Sequence, residues 1–419
     1  MDSERHRSRS VTAAVIANVI EWYDFAIYIF LANVIARKFF PSGDGATPLV
    51  VTLLTLGPSL LARPIGAIVF GRLADRIGRK AMLPATLFLM AGATFLIGFM
   101  PTYGVIGVTA TVLLVISRVL QGLSAGGEWG IATAYIVEWA PARRRGLFGS
   151  LHQMSVAVGI MLAIGIVALL NTILTPIDIV DWAWRFPFVI GGLLAGLIGL
   201  YLHHTVEESP AYLEAAKMAP QPPGKLMLTA ARVFGLAVVW TSAYYVLLNH
   251  MPVWTQKHGD LMPREVLWAT VCFMLFLACL IPLAGHLSDR LGRKPMLLAG
   301  AVALIILPYP ILAYFDSGDV PFSHVSLLIG LLVVALAVYT GAAPAAMVEL
   351  FSARSRITWM TPAYALAVAL FSGVGPYMSA WLIDRFHATA AHGLYLTAAA
   401  VISALVVLGL RESARDAPR

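Results

Sequence analysis

Gly71-Arg72-Leu73-Ala74-Asp75-Arg76-Ile77-Gly78-Arg79-Lys80 occurs in this chain in two versions. The second is Gly285-His286-Leu287-Ser288-Asp289-Arg290-Leu291-Gly292-Arg293-Lys294, 214 residues further on. Each copy follows one long apolar segment and precedes another. A second pair keeps step with the first: the ten residues from Val137 to Gly146 and those from Val348 to Ile357 share the pattern Val-Glu followed by a basic cluster, 211 residues apart. Two motifs recurring at nearly one interval mark a duplicated chain whose halves are each about 200 residues long.

Composition places those halves in a membrane. The chain is 59% hydrophobic and 12% charged, with a mean hydropathy of +0.81. A water-soluble domain carries about 25% charged residues. The net charge of +7 does not mark a nucleic-acid binder, because the basic residues sit between apolar segments instead of on one amphipathic face. Cys272 and Cys279, seven apart in one apolar run, cannot reach disulfide distance on a helix. The first apolar segment contains Glu21 and Asp24 and is too long for a cleavable signal.

Hydropathy predicts twelve spans of bilayer length, near 11–37, 48–70, 80–100, 105–138, 146–171, 183–203, 230–254, 264–285, 294–315, 321–349, 359–384 and 389–410. This is an all-α polytopic architecture: a six-helix bundle over 1–203, a polar interdomain linker over 204–229, and a second six-helix bundle over 230–419. With the N-terminus inside, inside segments hold 21 lysines and arginines and outside segments 6. The positive-inside rule therefore expects both termini, the linker and both copies of the repeat in the cytoplasm, with the chain in an inner-type membrane.

The repeated loop has residue types suited to a gate. Gly71 permits close packing at the end of span two, and Gly78 a tight, left-handed turn. Asp75, like Asp289, can face the positive N-terminus of a neighbouring helix. Arg76, Arg79 and Lys80, with Arg290 and Arg293 in the second copy, can pair with Glu138 and Glu349 or hold the loop at the inner leaflet. Such contacts exist when the cytoplasmic side is closed and break when it opens. The plainer alternative is a topology signal alone.

On these motifs the chain resembles the major facilitator superfamily and, within it, the metabolite:proton symporter family. Residues 20–25 (Ile-Glu-Trp-Tyr-Asp-Phe), 63–66 (Arg-Pro-Ile-Gly) and 118–122 (Arg-Val-Leu-Gln-Gly) carry the narrower likeness. So do Gly126-Gly127-Glu128, 184–188 (Trp-Arg-Phe-Pro-Phe) and Glu207-Glu208-Ser209-Pro210. The resemblance implies two bundles around a central site, alternating access, and proton-driven uptake of a polar metabolite. Members carry citrate, 2-oxoglutarate or shikimate, or zwitterions such as proline and betaine. The chain ends at Arg419, soon after span twelve and without the long coiled-coil tail of some osmolyte-transporting members, which shifts the expectation toward organic acids.

Charges inside spans mark a functional path, because they are expensive in a bilayer. They fall in the first half: Glu21, Asp24, Arg63, Arg118 and Glu128. Glu21 and Asp24 share a face of span one, and Arg63 lies at similar depth on span two, about 12 Å from its cytoplasmic end. Arg63 is expected to pair with one of the acids. The other, desolvated and short of a partner, becomes a proton carrier, with Asp24 preferred. A permanent ion pair that only orients helices is the alternative. Arg118 and Gln121 share a face of span four, where Gly122, Gly126 and Gly130 leave a groove. Arg118 is a candidate for a substrate carboxylate or for a structural ion pair, and Glu128 for a second proton site or a partner of a basic residue near the inner end. His152 is of a type suited to proton transfer but, only seven residues beyond Arg145, reads rather as a hydrogen-bonded surface histidine, and Trp182 and Trp184 as interfacial anchors.

The second half offers Tyr244, Tyr245 and Asn249 on span seven, Tyr339 on span ten, and Tyr364 and Tyr377 on span eleven as cavity contacts. Each is also readable as packing. Among these, Tyr245, Asn249 and Tyr364 join Arg118, Arg63 and Gln121 as the expected substrate contacts. The sequence reading is thus a monomeric, proton-coupled importer of a di- or tricarboxylate such as citrate. It uses no cofactor beyond protons. Import of a zwitterionic osmolyte and proton-driven export stay open. The sequence contains no metal-ligand cluster, phosphate loop or nucleophile–base pair, which argues against an enzyme.

Overall fold

The computed structural model describes residues 2–40, 48–215, 222–259, 261–318 and 320–413, with the side chains of 2–6, 48–56, 249–251, 253, 376 and 389 left aside. The first six long helices are α1 (Asp2–Phe30), α2 (Pro48–Ile77), α3 (Arg79–Phe99), α4 (Val108–Glu138), α5 (Arg145–Ile173) and α6 (Arg185–Thr205). The second six are α7 (Pro223–Gly259), α8 (Pro263–Leu291), α9 (Arg293–Asp316), α10 (Phe322–Glu349), α11 (Arg356–Phe386) and α12 (His392–Leu408). Ten helices among the described residues are long and apolar enough to cross a membrane. The 30-residue α2 and the shorter apolar α12 complete the twelve. In hydrocarbon every backbone N–H and C=O needs an internal partner, and a continuous helix supplies one.

Large apolar side chains point outward, the reverse of a water-soluble protein: Leu61, Phe99, Leu197, Leu275 and Leu327 are all exposed. The stretch between the halves is partly helical. After α6 the chain forms a short helix, Pro210–Ala215, and α7 already begins at Pro223. Helix α11 is the bent one: regular winding stops at Ala367, a wider π turn covers Val368–Ser372, and the helix resumes at Gly375. Gly373 and Gly375 lie where the π turn gives way to the resumed helix, small residues that tolerate such a break. Helix α10 runs unbroken through Pro344.

The duplication sets how the halves meet. Helix α2 of the first half packs on α11 of the second, and α8 of the second packs on α5 of the first. Each seam is the pseudo-symmetric image of the other, since α2 corresponds to α8 and α5 to α11. Within the first half, α4 is pressed against α2 by its small-residue groove. A Cβ at Gly122 would come within 2.2 Å of the Ser59 carbonyl oxygen, and one at Gly126 within 2.1 Å of that of Arg63. Any larger residue at either position would force the two helices apart.

Candidate functional site

The charged residues of the first half collect between α1, α2 and α4 in two layers. In one, Gln121 Nε2 donates to Asp24 Oδ2 at 2.6 Å and to Thr94 Oγ1 at 3.0 Å. Arg118 Nη1 donates to Gln121 Oε1 at 2.7 Å. Arg118 therefore reaches Asp24 through an amide and makes no ion pair with it. Its guanidinium lies 3.7 Å from the centre of the Tyr28 ring. Arg118 Nε and Nη2 and Asp24 Oδ1 have no hydrogen-bond partner among the described residues. All three polar residues are buried, so these free donors and the free acceptor represent unmet capacity.

In the other layer Glu21 and Glu128 are close neighbours, with the Arg63 charge acting on Glu21. Glu21 Oε2 and both Glu128 oxygens lack a hydrogen-bond partner. Arg63 differs from expectation: it forms no ion pair among the described residues, and its guanidinium packs 4.2 Å from the Phe25 ring centre and 5.7 Å from that of Trp22. Helix α1 turns Glu21 toward Glu128 and Asp24 toward Gln121, so the two acids serve different neighbours.

Aromatic residues from both halves meet beside this layer. Trp129 of α4 stacks on Tyr364 of α11 with ring centres 3.5 Å apart, and Trp240 of α7 lies 5.7 Å from Tyr364 and 6.1 Å from Trp129. Trp129 precedes Glu138 by nine residues, which puts it roughly 14 Å into the membrane from the end of α4. The sequence reading missed Trp129 and Trp240, because an aromatic residue in an apolar helix gives no sign of which face it occupies.

The face carrying both repeats is closed. Asp75 Oδ2 accepts from the Thr358 backbone N–H at 2.7 Å. Asp289 accepts from Gly146 N–H at 2.8 Å and Leu147 N–H at 2.9 Å. Each aspartate thus crosses to the other half and caps a helix N-terminus there, α11 for Asp75 and α5 for Asp289. Burial pushes the Asp75 carboxyl up to about 6, against the pull of Arg79. Within each half the arrangement repeats: Arg79 lies 3.2 Å from Asp75 and 3.3 Å from Glu138, and Arg293 lies 2.9 Å from Asp289 and 3.2 Å from Glu349. Gly78 and Gly292 have φ of +100° and +112°. Helix α2 passes close to α11 at Gly71, where a Cβ would meet the Ile357 oxygen at 3.1 Å.

Other partners of this face were not foreseen. Glu208 accepts from the Arg79 and Lys80 N–H groups, and Glu412 from those of Arg293 and Lys294. Ser209 and Ser413 donate to Glu138 and Glu349. The signal was a third repeat, the dipeptide Glu-Ser at 208–209 and 412–413. Arg356, also missed, pairs with Glu138 across the halves at 2.7 Å; the interval of 211 residues aligns it with Arg145.

Several expected residues lie elsewhere. Arg76 and Arg290 are exposed and make no ion pair among the described residues. His152 is fully buried with both ring nitrogens unpartnered, set edge-on to Trp129 at 5.6 Å. Counting residues from the helix end missed this, because α5 turns that face into the protein. Trp184 is buried between Phe39 and Phe188 instead of anchoring at the interface, whereas Trp182 is 46% exposed. Tyr339 is a packing residue, donating to the Leu236 carbonyl at 2.8 Å, and Tyr377 faces outward. Tyr245 packs against Gly375. The side chain of Asn249 lies outside the described residues.

Comparison with known proteins supplies the rest. The family pattern described as "Sugar (and other) transporter" matches residues 10–220 and that described as "Major Facilitator Superfamily" matches residues 260–419. The chain belongs to the major facilitator superfamily. It is 33% identical to the proline/betaine transporter of Escherichia coli (strain K12), over 97% of this chain and 84% of that protein. It is likewise 33% identical to a glycine betaine/proline/ectoine/pipecolic acid transporter of Dickeya dadantii (strain 3937), over 97% and 83%. The inner membrane metabolite transport protein YhjE of Escherichia coli (strain K12) is 34% identical over 97% and 94%. A solved structure of the proton:xylose symporter XylE superposes with a TM-score of 0.84 at 19% identity, covering 98% of this chain and 97% of that one; this likeness concerns the fold. The chain is therefore a multi-pass membrane transporter and not an enzyme. The organic-acid expectation finds no support among these relatives, and the alternative of a zwitterionic osmolyte fits their names better: those named for a substrate are named for proline, betaine and allied compounds.

Proposed function

We propose that the chain is a proton-coupled importer of small zwitterions of the proline and betaine kind, working by alternating access across a cytoplasmic-type membrane. The observation that carries it is the Arg118–Gln121–Asp24 chain, taken with the names of the relatives. A zwitterion's carboxylate finds the two free donors of Arg118. A betaine's quaternary ammonium has no N–H to donate and is suited to aromatic faces; Trp129, Trp240 and Tyr364 provide them where the halves meet, about 16 Å further along α4 from Arg118, so the two groups meet the substrate at successive positions on its path. Asp24, one amide away from Arg118, carries the proton. Carboxylate binding at Arg118 disturbs Gln121 and thereby the environment of Asp24, and this couples substrate to proton. Glu21 and Glu128 form a second place for a proton. When the site is loaded, the Asp75 and Asp289 caps on the repeat face release and the site opens to the inside.

A zwitterion carries no net charge, so one proton moved with it transfers one positive charge. Each such charge gains about 2.3 kcal/mol per 100 mV of membrane potential. The test uses purified protein in liposomes with an inward proton gradient, and labelled betaine, proline, citrate and 2-oxoglutarate. Accumulation of betaine or proline, collapsed by a protonophore and accompanied by inward positive current, is the expected result. Accumulation of citrate without betaine would overturn the reading.

A further inference from the structure

The pseudo-symmetry of the repeat face is broken at the cross-half ion pair. Glu138 is bridged by Arg356 of the other half at 2.7 Å. The duplicate pair would be Glu349 with Arg145, and it is not formed, although both residues line the same cavity. That cavity has a volume of about 380 Å³ and lies between the halves; Arg232 and Arg411 also line it. Its two carboxylates are already engaged, Glu138 by Arg79 and Arg356 and Glu349 by Arg293 and Ser413. Arg356 is spent too, since its remaining donors bind the carbonyls of Val348 and Phe351. Arg145, Arg232 and Arg411 remain, and none of them forms an ion pair among the described residues. Three uncompensated guanidiniums around one cavity, supplied by both halves, attract an anion with several acceptor oxygens.

We infer that this cavity is a regulatory site for a phosphate group, held by Arg145 from the first half and by Arg232 and Arg411 from the second. The bound group takes the place of the missing Arg145–Glu349 pair and ties the halves together. It binds the closed repeat face more tightly than the open one, so by linkage it holds that face closed and slows transport. The phosphate comes either from a soluble phosphorylated molecule or from the headgroup of an anionic lipid; the recognition chemistry is the same. The site does not depend on which substrate the transporter carries.

The full chain is reconstituted in nanodiscs of phosphatidylcholine, and its thermal stability is titrated with inorganic phosphate and with ATP, using sodium chloride at equal ionic strength as control. A parallel series replaces part of the phosphatidylcholine with phosphatidylglycerol. Stabilisation by a soluble phosphate assigns a soluble source, and stabilisation by phosphatidylglycerol alone assigns the lipid. In either case the Arg232→Gln/Arg411→Gln double variant loses the effect while its unliganded melting temperature and its spin-label distances across the repeat face stay as in the wild type. Distances between labels on the two halves show the effective ligand raising the closed-to-open ratio by about fivefold or more in the wild type. Absence of any phosphate effect beyond that of chloride overturns the inference. So does an effect that survives in the double variant, or binding that leaves the distances unchanged.

Discussion

Neutralising Glu138 tests the closed face more sharply than any other single change. Glu138 Oε1 accepts from Arg356 Nη1 at 2.7 Å and Arg79 Nη2 at 3.3 Å, with all three side chains buried. Arg79 belongs to the first half and Arg356 to the second, so the contact with Arg356 exists only while the halves are closed on this face. Glu349, its duplicate, is bound by Arg293 and Ser413, both in its own half, and its contacts persist through a rigid rocking of one half on the other. A charge-assisted hydrogen bond contributes about 1.5–3 kcal/mol. Glu138→Gln removes the charge and keeps the shape, and should lower the closed-to-open ratio by roughly 10- to 100-fold, at about 1.4 kcal/mol per tenfold. Glu349→Gln should shift it far less. The measurement is electron–electron resonance in nanodiscs between spin labels at the exposed positions 76 and 290, with the free Cys272 and Cys279 replaced by serine. Equal shifts from the two substitutions, or none from Glu138→Gln, would refute the assignment of the cross-half bond as the element that distinguishes the duplicates.

Asp75 makes the same equilibrium depend on pH. Its carboxyl titrates near 6 in the closed form because burial opposes its charge, and near the ordinary value of about 3.9 once solvated. The closed form therefore binds the proton more tightly. Its advantage is fully present below about pH 4 and is lost as pH rises through about 6; Asp75→Asn should flatten this dependence in the same distance measurement. Gly78→Ala places a side chain at φ +100° against Glu208 and should cost at least about 1–2 kcal/mol, read as a lower melting temperature in detergent. Asp24→Asn should abolish proton-driven accumulation of betaine in liposomes while sparing exchange, and persistence of accumulation would remove Asp24 as the essential carrier. Trp129→Ala removes the ring stacked on Tyr364 and should raise KM for betaine several-fold more than for proline, whose secondary ammonium can use hydrogen bonds.

The preference for organic acids over zwitterions rested on residues that do not separate the two. Two arginines inside spans favour a carboxylate, but a zwitterion carries one as well; under the proposed function, the feature that separates the two classes is where aromatic faces converge. That convergence joins Trp129, Trp240 and Tyr364, which are separated by over a hundred residues in sequence.

Membrane class, duplication and helix number were determined by the sequence alone, because hydrophobic length and motif spacing are local, one-dimensional properties. The acid–arginine pairs of the repeat were legible for the same reason: Asp75 with Arg79, and Asp289 with Arg293, are single-turn neighbours inside a repeated pattern. Tertiary structure decided the partners. It sends Asp75 to the Thr358 N–H, 283 residues away, routes Arg118 to Asp24 through Gln121, and joins Glu138 to Arg356 while leaving Arg145 without Glu349. A helix that is apolar all round carries little periodic signal of which face turns inward. Its rotation and tilt are set by packing against its neighbours, and shifts of a few ångströms there choose which charged groups meet.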